Sequence, residues 1–183
     1  MAGDVGRAGA DREWDELAAG LNEYGVLHVR PAAIPPGRAP RGRELIRRLQ
    51  VADAVRLREA LIPLLLTHPE LDGEARHAIA DLPDPAARRA RLRYVAAGAL
   101  QRMWRTRLLE ALGPHRLIEP AYLDELGLPP LDDDFGRATL LALSNLEQAE
   151  HGHDAWAGYT SLMDLLLGEL RSPAWGRPLA SAG

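Results

Sequence analysis

The segment "PDPAARRARLRYVAAGALQRMWRTRLLEALGP" constrains this chain more than any other, because it reads as one helix with apolar side chains on two sides. Asp84 is placed to cap it, Pro85 suits a first turn, and Gly113-Pro114 stops it. From Pro85 to Leu112 it would run about 40 Å at 1.5 Å per residue. Projected at 100° per residue, Leu92, Val95, Ala96, Ala99 and Met103 fall on one arc, and Tyr94, Ala97, Trp104, Leu108 and Leu112 on the other. A helix apolar on two faces needs neighbours on both, so this one belongs at the centre of the fold.

The flanking sequence supplies those neighbours. In "DREWDELAAGLNEYG", Trp14, Leu17, Ala18, Leu21 and Tyr24 recur at helical spacing, with Asp11 as a cap and Gly25 as a stop. "RELIRRLQ" and "DAVRLREALIPLLLTH" follow. In the second, Asp53 can cap and Pro63 should kink or divide the helix, because it lacks an amide donor and crowds the preceding turn. "HPELDGEARHAIADL" restarts helix at Pro69. Beyond the central segment come "EPAYLDELG", then "DDDFGRATLLALSNLEQAE" with an acidic first turn that suits the helix dipole. In "DAWAGYTSLMDLLLGEL" residues Trp156, Tyr159, Leu162, Met163, Leu166, Leu167 and Leu170 share one wide arc, with Ser161 and Asp164 opposite. The expectation is an all-α bundle of about six to eight helices around the Pro85 to Leu112 helix. It forms a single domain over residues 11–171, with a Pro-rich connector at 30–42, a disordered start at 1–10 and a loose tail at 172–183.

Composition removes several chemistries. The chain has no cysteine, so disulfides, thiolate nucleophiles and cysteine-based metal sites are excluded. All 22 basic residues are arginine, a GC-rich coding bias, and without lysine there is no Walker loop. Neither a Gly-x-Ser-x-Gly elbow nor a Gly-x-Gly-x-x-Gly cradle occurs. A net charge of −4 gives no global field toward nucleic acid or anionic lipid. The first residues lack the apolar core of a signal peptide, and "ALIPLLL" is far short of the ~20 residues that span a bilayer. A cytoplasmic protein is expected.

The densest ligand chemistry is "EHGHD", Glu150 to Asp154. On a helix His151 and His153 would point about 160° apart, and Gly152 between them favours a break. The expectation is that the preceding helix ends here, the histidines are solvated, Asp154 caps the last helix, and no metal or other cofactor is held. The metal candidates, were there a site, are Glu150, His153 and Asp154. Glu150 with His153, and Glu74 with His77, each make a Glu-x-x-His that resembles the paired motif of ferritin-like di-iron bundles, whose ligands lie mid-helix on long partners. His153-Asp154 resembles the core of HD-type metal phosphohydrolases. That family also needs an upstream His, for which His115 could serve, and a well separated downstream Asp, whereas only Asp164 follows, on the same helix.

Arginines crowd the central segment. Arg88, Arg91, Arg102 and Arg105 form one seam and Arg89, Arg93 and Arg107 another, each bordering an apolar arc. Such a seam could contact phosphates or a partner. Arginines beside buried faces also snorkel and pair with acids, and residues 132–154 hold six acids against Arg137.

Two stretches, "LREALIPLLLTHPEL" and "RLRYVAAGALQRMWRTRLLEALG", resemble uncharacterised bacterial all-helical proteins of GC-rich genomes, some of them associated with neighbouring nucleotidyltransferase genes. Together they cover under a quarter of the chain. The resemblance implies a protein partner and transfers no catalytic residue. The helical nucleases that accompany nucleotidyltransferases carry Arg-x(4 to 6)-His, and no histidine here has an arginine at that distance upstream. The expected function is therefore a non-catalytic interaction or regulatory protein, antitoxin-like, partnering a nucleotidyltransferase. The competing readings are a metal-dependent helical hydrolase using His153 and Asp154, and a nucleic-acid binder through the Arg88, Arg91, Arg102 and Arg105 seam.

Overall fold

The computed structural model describes residues 3–33, 37–152 and 155–172, and among them it is all-α with no strand. The helices are α1 Gly3–Glu23, α2 Gly42–Val51, α3 Val55–Glu59, α4 Leu61–Thr67, α5 Asp72–Ala80, α6 Asp84–Met103, α7 Arg105–Leu112, α8 Leu123–Leu126, α9 Arg137–His151 and α10 Ala155–Leu170. Short 3-10 turns, Pro69–Leu71 and Asp133–Gly136, precede α5 and α9. The all-α bundle of about six to eight helices expected from the sequence is what the structure shows, counted as ten α-helical segments among the described residues because two stretches read as single helices each divide.

The first division separates α3 from α4 at Ala60, not at Pro63. Pro63 is the third residue of α4, where an amide would have no intrahelical partner, so the missing donor costs nothing there. The second division corrects the central helix. Trp104 leaves helical backbone at φ −106°, ψ 17°, so Pro85 to Leu112 is α6 followed by α7 and not one rod. Three expected caps are absent, Asp11 among them because it lies inside α1. The residue before α6 is Pro83 and that before α3 is Ala54, and neither Asp84 nor Asp53 caps with its side chain. Helical backbone also reaches back to Gly3. No proline interrupts Gly3 to Ala10, and extending a formed helix adds a hydrogen bond per residue fixed.

The centre holds as expected. From Tyr94 to Gln101 every residue of α6 is buried, and α2, α4, α5, α9 and the Asp133–Gly136 turn all pack on it. Its run Ala96, Ala97, Gly98, Ala99 lets neighbours approach its backbone on several sides. Against α7 packs α10, whose buried face is Tyr159, Met163, Leu166, Leu167 and Leu170, with Ser161 and Asp164 outward.

Buried polar groups fasten the loops to this frame. Gln101 is fully buried, donates to the Arg116 carbonyl at 2.9 Å and accepts from the Ile118 amide at 2.7 Å. Tyr94 donates its hydroxyl to the Glu119 carbonyl at 3.0 Å. Buried Asp72 accepts from Arg116 at 2.9 Å and from the Glu119 amide at 3.2 Å. At the other end, the connector hangs on α1, with the Trp14 indole donating to Arg30 at 3.0 Å and the Ala32 amide to Asp15 at 2.6 Å.

Candidate functional site

The arginine seam is taken up by carboxylates from three different segments. Arg88 lies 2.5 Å from Glu150 of α9. Arg91 lies 3.4 Å from Glu125 of α8, with its guanidinium 5.6 Å from the centre of the Tyr122 ring. Arg102 binds Asp132 at 2.8 Å, and also donates to the Gly98 and Ile118 carbonyls at 3.1 and 3.4 Å. Its side chain is 9% exposed. Arg105 alone of the four is without an ion pair among the described residues, and it is exposed.

For metal, Glu150 is occupied by Arg88, while His153 and Asp154 lie outside the described residues. Glu74 and His77 are exposed on α5, with Glu74 accepting the Arg43 amide at 2.7 Å. Among the described residues no three His, Asp or Glu side chains converge enough to hold an ion.

Residues 131–136, "LDDDFG", form a second site, where the sequence predicts the acidic first turn of α9. That turn holds no acid in the structure, because α9 starts only at Arg137. Before it, Asp134 (φ 46°, ψ 42°), Phe135 (φ 54°, ψ 38°) and Gly136 (φ 84°, ψ −7°) are consecutively left-handed. For residues with a Cβ this conformation costs roughly 1–2 kcal/mol each. Packing on α6 enforces it. Leu131 is buried against Gly98, where a Cβ would lie 2.9 Å from a Leu131 methyl, and Asp132 holds Arg102. A Cβ on Gly136 would come within 2.4 Å of the Ala99 carbonyl oxygen, so only glycine fits that approach.

Phe135 is the residue just before the one that opens α9. A large apolar side chain there ordinarily packs back on the fourth helical residue, as a hydrophobic staple. That residue, Leu140, is buried, yet Phe135 is 78% exposed. The left-handed backbone turns the ring outward, and the staple is not made. Beside it Asp133 and Asp134 are exposed and without ion pairs among the described residues. The chain's single phenylalanine thus stands on an acidic turn whose backbone is fixed by the core helix.

The third feature is a cavity of about 500 Å³ between α3 and α4, α6, α9 and α10. Arg58, Arg89 and Arg93 line it with Glu59, Glu147 and Tyr159, and its apolar wall includes Ile62, Leu92 and Leu162. Burial lowers the Arg58 pKa, and the neighbouring Arg93 and Arg89 charges lower it further. Burial raises that of the Tyr159 hydroxyl, which hydrogen-bonds Glu147. Arg89 and Arg93 stand one turn apart on α6 and belong to the second arginine seam of the sequence, whereas Arg58 comes from α3 and joins them only through packing.

No protein-family model, curated protein or solved structure matches this chain.

Proposed function

We propose that this chain is a non-catalytic interaction protein that docks a protein partner over the Phe135 turn. The observation that carries the reading is a 78% exposed phenylalanine held out by left-handed backbone where a staple would otherwise bury it. Strained backbone persists only where surrounding structure over-determines it, and such positions cluster at binding sites. An aromatic ring on a backbone that is already fixed is the kind of anchor around which interface energy concentrates. The partner this turn suits offers an apolar pocket for the ring, rimmed by Arg or Lys to meet Asp133 and Asp134. Those rim charges would set encounter rate and orientation more than affinity.

Because three of its four arginines are engaged by acids within the chain, the Arg88 seam serves as scaffold in this reading and not as the contact surface. The resemblance of the α3–α4 and α6–α7 stretches makes a bacterial nucleotidyltransferase the first partner to test, with this chain acting in the cytoplasm in the manner of an antitoxin.

The test separates binding from folding. Epitope-tagged chain and its Phe135→Asp variant are compared in the source cell by size-exclusion chromatography. The wild type should elute in a complex, and the variant as the bare chain with an unchanged melting temperature, since an exposed side chain contributes little to stability. A variant that remains in the complex would refute the reading.

A further inference from the structure

The geometry points to a second, separate site: the arginine-lined cavity takes a small molecule with one carboxylate head and an apolar body. No residue of 131–136 lines it, so it stands or falls apart from the Phe135 turn.

The head is assigned by how the lining charges are spent. Arg93 is satisfied by Glu59, which accepts from its Nη2 at 2.7 Å and its Nε at 3.0 Å, with Gln50 at 3.4 Å. Arg58 uses one nitrogen, Nη1, on the Ala52 and Asp53 carbonyls, both at 2.6 Å. Its Nε is buried without a partner. Arg89 has neither hydrogen bond nor ion pair among the described residues. Among the lining residues three guanidinium groups stand with the carboxylates of Glu59 and Glu147, while Asp53, outside the lining, also bears on Arg58, so the positive charge left without a hydrogen-bonded or ion-paired partner among the described residues is that of Arg89. One carboxylate meets it, in the planar two-donor geometry that guanidinium favours. A dianionic phosphate would overshoot that charge.

The body follows from the walls. Ile62, Leu92 and Leu162 supply an aliphatic lining, and Val55, 58% exposed, marks the mouth. A volume of about 500 Å³ lies within the ~300–1,000 Å³ of small-molecule sites, which combine an apolar lining with a few placed polar groups. A carboxylate placed among the three guanidinium groups also relieves the repulsion that the partly buried Arg58 and Arg93 and the exposed Arg89 exert on one another.

Decanoate, kept below its aggregation threshold, is titrated into the full chain by calorimetry, beside acetate, which has the head without the tail, and decyltrimethylammonium, which has the tail with the opposite charge. One decanoate should bind per chain, with decyltrimethylammonium weaker by about tenfold or more, the value of a charge-assisted hydrogen bond, and acetate weaker by at least as much because it buries no alkyl chain against the apolar wall. Arg89→Gln should weaken decanoate by about the same factor and leave the melting temperature unchanged, because Arg89 has no internal partner to lose. Arg105→Gln, off the cavity, should bind as the wild type does. Absence of stoichiometric binding, equal binding of decyltrimethylammonium, or an Arg89→Gln variant that binds as tightly as the parent would each overturn the proposal.

Discussion

Replacing Gly136 by alanine probes the contact on which the Phe135 turn depends. Two separate costs are introduced. The first is conformational: at φ 84° an alanine is left-handed, which costs about 1–2 kcal/mol. The second is steric, because the new Cβ would stand 2.4 Å from the Ala99 oxygen and 3.0 Å from its carbon and Cα. Backbone cannot rotate away as a side chain does, so α9 or α6 must shift, and overpacking of that kind costs about 1–3 kcal/mol. Together they destabilise the chain by about 2–5 kcal/mol. Gly127→Ala supplies the reference. Gly127 has φ 65° with nothing within 4 Å of a built Cβ, so only the conformational cost applies. Urea denaturation followed by circular dichroism measures both, and equal slopes confirm that stability alone has changed. The Gly136 variant should unfold at the lower urea concentration, by an amount equal to the steric part. If the two variants lose the same stability, the turn is not held against the α6 backbone, and the reasoning that treats it as a preformed platform fails.

Three further outcomes test the frame around it. Leu92 and Leu108 are 4% and 0% exposed, on α6 and α7, so truncating either to alanine should cost about 2–5 kcal/mol by denaturation, and a near-zero value at Leu108 would place that face in solvent. Arg102→Gln should cost about 1–3 kcal/mol through lost hydrogen bonds to Asp132, Gly98 and Ile118, whereas Arg105→Gln should stay within about 0.5 kcal/mol; measurable RNA binding lost in both would favour a phosphate-binding seam instead. Burial raises the pKa of Tyr94 and of Tyr159 above the unfolded value of about 10, so their effect on stability is constant below that pH and destabilising as pH climbs past it toward the folded values. Ultraviolet titration should show both phenols un-ionised until the chain unfolds, and ionisation of all tyrosines near pH 10 in the folded state would contradict their burial.

What the sequence discloses best is what depends on periodicity. Leu17, Ala18 and Leu21 of α1, and Met163, Leu166, Leu167 and Leu170 of α10, are buried as their spacing requires, and both arcs of the central segment find neighbours. Met103 is the exception at 36% exposed, where the helix breaks at Trp104. Helix ends were less legible. Asp53 and Asp84 have capping chemistry, but Ala54 and Pro83 stand at the cap positions with extended backbone. The Phe135 turn is hidden in the sequence because three aspartates before an apolar run also describe a first helical turn. The signal that separates the two is the glycine directly after phenylalanine, which takes up a left-handed backbone readily and is a poor helix former. The cavity was beyond reach, since Arg58 and Arg89 meet only through the packing of α3 and α4 on α6.

Whether a partner docks on the Phe135 turn is decided by placing a photoreactive benzoylphenylalanine at position 135 in the source cell and irradiating it. Leu165, an apolar residue of α10 that is 48% exposed, gives the control position for chance encounters. Docking there gives a single discrete adduct from position 135, absent from position 165 and lost when Asp133 and Asp134 are both changed to lysine. No adduct at 135, or the same adducts from both positions, would contradict it.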